Sequence, residues 1–191
     1  MKTITESING VDLVFKTDEA VFSPLNIDKG TLAMLSVAEL SNTDKVLDLG
    51  CGYGVVGIYI AKQIGAQNVF MSDVDKMSVE LSKINAEFNG VGEISVVLSN
   101  GFDGINDSDF TMILSNPPYH SDFSVPKHFI EKGFNRLKIG GKMLMVTKRK
   151  EWYKNKFIAI FGGVKINEIN DYYVFIAEKR DAKYANTRRQ K

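Results

Sequence analysis

The sequence predicts an α/β fold: a seven-stranded, mostly parallel sheet with one antiparallel strand at or near its edge, helices on both faces, and an N-terminal β-hairpin. Three observations predict it. From residue 45 onward, short apolar runs alternate with longer helical patterns, which implies parallel strands joined by crossover helices. The glycine-rich turn Asp48-Leu49-Gly50-Cys51-Gly52-Tyr53-Gly54 stands where the first of those strands gives way to its helix. The last two apolar runs are separated only by Asn170-Asp171, too short a link for a parallel crossover, so they should pair antiparallel.

Taken in order, the alternating segments 3–7 and 11–15 flank Asn9-Gly10, a dipeptide that accepts the positive φ angles of a tight hairpin turn. Residues 31–40 place Leu32, Leu35, Ala38 and Glu39 at helical spacing behind Asp28 as a cap. Then follow a strand at 46–49, a mostly apolar helix at 55–64 and a strand at 69–72. An amphipathic helix at 76–88 is capped by Asp75 and closed by Asn89-Gly90. Strands are expected at 94–98 and 110–114, a helix at 129–137 ended by Gly140-Gly141, and a strand at 143–146. The closing pair spans 164–169 and 172–177.

The chain has 191 residues, 44% of them hydrophobic and 25% charged, which supports one sizeable core. The expected organisation is a hairpin extension at 1–20, one main domain at 21–178 and a basic tail at 179–191. The single cysteine, Cys51, excludes a disulfide framework or a thiolate metal cluster built from this chain alone, and no metal is expected. The polar start and the lack of any apolar run of about 18 to 20 residues predict a cytoplasmic protein. Net charge is +1, but residues 178–191 carry six basic against two acidic side chains, a patch able to add affinity for phosphates.

The glycine turn is where a ligand should sit. Without side chains the backbone admits close approach, and the helix start offers unpaired amide donors. Gly52-x-Gly54-x-x-Gly57 also satisfies the dinucleotide fingerprint, and Asp73, 21 positions after Gly52, can accept the hydroxyls of an adenosine ribose in either kind of cofactor. The discriminating feature is Asn116-Pro117-Pro118-Tyr119, directly after the fourth parallel strand and therefore facing the same crevice. The Asn116 side-chain oxygen and the Pro117 carbonyl can each accept one N–H of a planar amine, and Tyr119 offers a stacking face. Held by both protons, a conjugated amine is biased toward pyramidal geometry with its lone pair aimed at an electrophile.

Asp48-x-Gly50-x-Gly52, Asp73 and Asn116-Pro117-Pro118-Tyr119, in this order, resemble the class I S-adenosylmethionine methyltransferases that act on amino nitrogens, a Rossmann-like family. More narrowly, residues 21–177 are similar to the small methyltransferase domain of bacterial ribosomal RNA guanine-N2 methyltransferases. The narrower markers are Val21-Phe22-Ser23, Asp28-x-Gly30-Thr31, Ser99-Asn100, His120, Gly140-Gly141 and Phe161-Gly162. The resemblance implies that Asp48, Gly50, Gly52 and Gly54 hold the methionine part of S-adenosylmethionine and that Asp73, followed by Val74, holds the ribose. It also implies that Asn100 and Gly101 meet the adenine, that Phe22 and Asp28 rim the pocket, and that Asn116, Pro117 and Tyr119 grip the target amine, with Asn116 also bordering the cofactor. The implied substrate is a nucleobase amine of RNA, guanine N2 in ribosomal RNA.

Three other readings compete. A protein glutamine amide could be the acceptor, because Asn-Pro-Pro-Tyr also occurs in methyltransferases of translation release factors. A nicotinamide-dependent dehydrogenase is allowed by the glycines and Asp73, and a non-catalytic adenosine-binding module by the same residues. His120 and His128 are read as orienting or surface histidines, and Cys51 as a small filler. Lys148-Arg149-Lys150 with Trp152 and Tyr153 is either a nucleic-acid contact or a solvated loop.

Overall fold

A computed structural model describes residues 2–18, 25–118 and 122–188. The hairpin forms as expected, with β1 (Lys2–Ile8) antiparallel to β2 (Val11–Thr17) and both Asn9 and Gly10 at positive φ, 49° and 81°. The main sheet contains β3 (Val46–Leu49), β4 (Val69–Asp73), β5 (Ser95–Leu98), β6 (Phe110–Ser115), β7 (Leu137–Thr147), β8 (Lys165–Ile169) and β9 (Tyr172–Glu178). Its order is β5-β4-β3-β6-β7-β9-β8. β3 to β7 pair in parallel, while β9 runs against both β7 and β8, so β9 is the one reversed strand. The order changes direction between β3 and β6, and the carboxyl ends of those two strands open the crevice in which sheets of this kind bind ligands.

Alternation along the central strands divides their side chains between two cores. Val46, Met112, Leu114, Leu144 and Val146 face one side, together with α1 (Lys29–Ser36), α2 (Val55–Ile64) and α3 (Lys76–Phe88). Leu47, Leu49, Ile113, Met143 and Met145 face the other, under α4 (Ser124–Arg136) and α5 (Glu151–Phe161). Every residue of β3 is buried, as a strand covered on both faces requires. At Gly57 in α2, an added Cβ would lie 2.3 Å from the Met71 sulfur on β4, so only glycine lets this helix approach the sheet.

Several expectations are corrected. α1 stops at Ser36 rather than residue 40. α4 begins at Ser124, five residues earlier than the pattern suggested, because Pro126 lies in its first turn, where no backbone donor is lost. It ends at Arg136, and Gly140-Gly141 lie inside β7 instead of terminating the helix. There they form a bulge across which the β6 pairing jumps from Leu137 to Lys142. α5 was not anticipated at all. The hairpin packs on α3 and α2, and residues 2–17 are not among the described residues that line the ligand cavity. Asn85 and Asn89 of α3 bridge the backbone of Lys16 and Val14 in β2.

The start of the basic tail is not a solvated end. Lys179 is buried, donates to the Leu137 carbonyl at 2.6 Å and lies over the Phe134 ring, and desolvation lowers its pKa. Tyr184 stacks edge-on against Phe134 and donates to the Glu131 carbonyl. Among the described residues no helix is long and apolar enough to cross a membrane.

Candidate active site

The crevice at the β3/β6 switch holds a cavity of about 390 Å³, within the range typical of small-molecule sites. Its floor is the turn leaving β3. The Gly50 and Cys51 amides both donate to the Ser72 carbonyl on β4, a double anchor that needs the positive φ of Gly50 (77°) and Gly52 (55°). Asp48, Gly50 and Gly52 line the cavity, and nothing lies within 4 Å of where a Cβ on Gly52 would stand. Gly54 does not line it. It caps α2 in the left-handed region, and a Cβ there would meet Ile58 at 2.9 Å. Asp73, at the end of β4, accepts the Gly52 amide at 2.8 Å on one oxygen and the Asp75 amide at 2.9 Å on the other. Asp75 caps α3 through Ser78.

On the next wall, Val74 is 67% exposed and borders the cavity, as do Asn100 and Gly101 after β5. Ser99 shapes that loop by donating to the Gly101 carbonyl and accepting from the Gly104 amide. The His128 ring packs where a Gly101 side chain would be, so this histidine supports the loop.

The opposite wall is the Asn116-Pro117-Pro118 turn, tied to the β3 end by a 2.7 Å hydrogen bond from the Ser115 hydroxyl to the Leu49 carbonyl. Asn116 Nδ2 donates to Asp28 Oδ2 at 2.8 Å and to Thr31 Oγ1 at 3.0 Å. Those two bonds use both amide hydrogens, which settles the sense of the amide and makes Oδ1 its acceptor end. Asp28 also caps α1 through the Thr31 amide and takes a longer contact, 3.5 Å, from the Tyr172 hydroxyl. Tyr172 in turn packs on Gly30, where a Cβ would come within 2.7 Å of its ring. Asp28 and Thr31 therefore position Asn116 in addition to bordering the cavity. Phe22, Tyr119 and His120 lie outside the described residues.

Sequence reading missed Thr31, Tyr53, Val125 and Phe129 as cavity walls. Tyr53 is buried against Phe15, and its hydroxyl is pushed up to about 12 by burial and by the charge of Asp28. Cys51 is buried with its thiol raised well above 9 by desolvation and the nearby carboxylates, so it is no thiolate nucleophile.

Charge decides which ligand fits. Asp28, Asp48, Asp73 and Asp75 all border the cavity, and among the described residues no Lys or Arg does. A diphosphate would meet Asp28, Asp73 and Asp75 beside the buried Asp48, whereas a cationic sulfonium with an amino group finds complementary charge. The Gly52 amide, a donor suited to a phosphate, is already held by Asp73. Among the described residues no cluster of His, Cys, Asp and Glu could bind a metal ion.

Burial raises Asp48 to about 7; the Gly57 amide, 2.9 Å away, opposes this shift, and the Asp73 charge adds to it. The unfolded carboxyl titrates near 3.8, so between these values the folded state keeps a proton that the unfolded state has lost, and stability falls as pH rises. The stabilisation is complete below pH 3.8 and gone above about 7. We expect urea-unfolding free energies of the wild type to decline over that window by a few kcal/mol relative to Asp48→Asn, with parallel curves above it, on the order of 1.4 kcal/mol per pKa unit. Parallel curves throughout would show that Asp48 titrates in the folded protein as it does in the unfolded chain.

The fold and the crevice are those of a methyltransferase. Residues 12–177 match the family described as Methyltransferase small domain, and the chain belongs to it. The Bacillus subtilis (strain 168) protein YbxB is 30% identical over 174 residues, covering 88% of this chain and 87% of that one. The ribosomal RNA small subunit methyltransferase C of Psychromonas ingrahamii is 31% identical over 172 residues, covering 88% of this chain and 49% of that enzyme. Among solved structures, the T. thermophilus 16S rRNA N2 G1207 methyltransferase (RsmC), in complex with AdoMet and guanosine, superposes with a TM-score of 0.84 at 26% identity, over 94% of this chain and 50% of that one. This chain thus spans half the length of those ribosomal RNA enzymes. The family's cofactor, S-adenosylmethionine, is the ligand that the acidic cavity fits.

Proposed function

We propose that the protein transfers a methyl group from S-adenosylmethionine to an exocyclic amine of an RNA nucleobase, guanine N2 in ribosomal RNA. The observation that carries this reading is the fixed Asn116 amide: with Nδ2 committed to Asp28 and Thr31, Oδ1 is the end that can receive an N–H. The cofactor supplies an electrophilic methyl on a sulfonium. Asp73 takes the ribose hydroxyls, the Asp48–Gly52 turn the methionine portion, and Asn100 the adenine edge. Asn116 Oδ1 and the Pro117 carbonyl each accept one N–H of the amine, so its lone pair points along the line of displacement, and Tyr119 stacks on the base. As the N–C bond forms the C–S bond breaks, and the extra proton on nitrogen is lost to water. No general base is required, because the amine becomes acidic only after transfer. Likeness to RsmC, solved with guanosine, supports guanine over other acceptors.

The test is to incubate the protein with methyl-labelled S-adenosylmethionine and, separately, with ribosomal RNA and with a glutamine-containing protein acceptor. Label recovered as N2-methylguanosine is the expected result. Label in glutamine, with none in RNA, would replace the nucleobase by an amide, and binding of NAD in preference to S-adenosylmethionine would remove the methyltransfer reading.

A further inference from the structure

Beyond the cavity, at the same carboxyl edge of the sheet, the turn after β7 presents Lys148, Arg149 and Lys150, each over an aromatic ring. Lys148 Nζ stands 5.0 Å from the Tyr172 ring centre, the Arg149 guanidinium 5.1 Å from Phe123, and Lys150 Nζ 5.0 Å from Tyr173. Phe123 is itself stacked on Trp152 at 4.4 Å and 14°. The strip adjoins the reaction site through contacts already described. Tyr172 reaches Asp28, which holds Asn116, and Phe123 precedes α4, whose Val125 and Phe129 line the cavity. β7 and β6 are in register at Met145 and Ser115, so Lys148 emerges beside the Asn116-Pro117-Pro118 turn.

Lys148 and Arg149 are exposed, and among the described residues neither forms an ion pair, whereas Lys150 lies 3.9 Å from Glu168. A long cationic side chain resting on an aromatic face has lost part of its conformational freedom in advance, so an anion that meets it forfeits less entropy. Cations spaced along a strand end, beside half-buried rings, suit a chain of phosphates with unpaired bases. The acidic cavity would repel such a chain, which leaves the rim for the backbone and the cavity for the cofactor and one base.

We propose that Lys148 and Arg149, preset by Tyr172 and Phe123, hold the phosphates of the single-stranded RNA segment flanking the target nucleotide, with the Phe123–Trp152 pair beside its bases. This rests on the reading that the acceptor is a nucleobase of RNA. Trp152 is the chain's single tryptophan, so its emission reports directly on the strip.

The experiment titrates the full chain with a short single-stranded, guanosine-containing RNA, following Trp152 emission, for wild type, Lys148→Ala/Arg149→Ala and Arg149→Lys. Binding of S-adenosylmethionine is measured in parallel by calorimetry. The expected result is a saturable change in emission. In the double variant, RNA affinity falls about tenfold or more and the salt dependence of log K is shallower by about 0.7 per lost phosphate contact. Cofactor binding is unchanged in the double variant, and Arg149→Lys is intermediate. RNA bound and methylated by the double variant with wild-type KM would overturn the strip while leaving the nucleobase reading intact. A wild type that binds S-adenosylmethionine but no RNA, and methylates a protein acceptor instead, would overturn both.

Discussion

Asn116→Ala should reduce kcat for methyl transfer by about 10² to 10³, the loss seen when one preorganised polar group aimed at a reacting centre is deleted, with S-adenosylmethionine affinity close to wild type. The sharper test removes the support instead of the group. Thr31→Val keeps the side-chain volume and the backbone amide that Asp28 caps, but deletes the hydroxyl that accepts from Asn116 at 3.0 Å. One hydrogen bond of this kind contributes about 1 kcal/mol net to stability, so Thr31→Val should lose about that much, and kcat should fall by up to roughly fivefold to tenfold as the amide loses one of its two tethers. Asp28→Ala removes the other acceptor along with the α1 cap and should cost more in both respects, with about 1 kcal/mol of stability from the cap alone. Single-turnover rates at saturating cofactor separate these effects from binding. If Thr31→Val turned over at the wild-type rate, the amide would be held without Thr31, and Asp28 would be the positioning partner to test next.

The clamp shows what the sequence could and could not disclose. β3, β6 and the helices at 55–64 and 76–88 were legible because each carries its own signal: an unbroken apolar run, a 3.6-residue stripe, a cap or a glycine stop. The Asn116 motif was legible because its chemistry is local. Its pairing with Asp28, 88 residues earlier, depends on α1 packing on β7 and β9 with its N-cap at the turn after β6, and no spacing rule reports that. The signal at Asp28-x-Gly30-Thr31 looked only like a cap and a rim. α5 was missed for a different reason. Tyr153, Phe157, Ile160 and Phe161 form a buried stripe at helical spacing, but the preceding basic run and Trp152 drew the segment into a surface reading. Gly140-Gly141 misled because glycines that stop a helix and glycines that permit a bulge are the same residues. Only the β6 register, which skips from Leu137 to Lys142, distinguishes them.

Asp73→Ala should weaken S-adenosylmethionine binding by about a hundredfold or more, the largest equilibrium effect expected of a single substitution here. Its carboxylate has two duties. Each oxygen accepts one backbone amide, Gly52 at 2.8 Å and Asp75 at 2.9 Å, and so holds the floor turn against the mouth of α3. Carboxylate oxygens carry further acceptor sites, and in the proposed function these receive the ribose hydroxyls. Charged hydrogen bonds contribute about 1.5 to 3 kcal/mol each, so losing the ribose contacts suffices for the predicted factor before any loosening of the turn. Asp73→Asn separates the duties: one amide oxygen still accepts, but the NH2 end faces a backbone donor, so affinity should remain nearer Ala than wild type. S-adenosylhomocysteine discriminates the cause, because it has the same ribose without the sulfonium charge. Calorimetry should show both ligands weakened by a similar factor. A loss confined to S-adenosylmethionine would mean that Asp73 acts on the cation across the cavity and that the hydroxyls are held elsewhere.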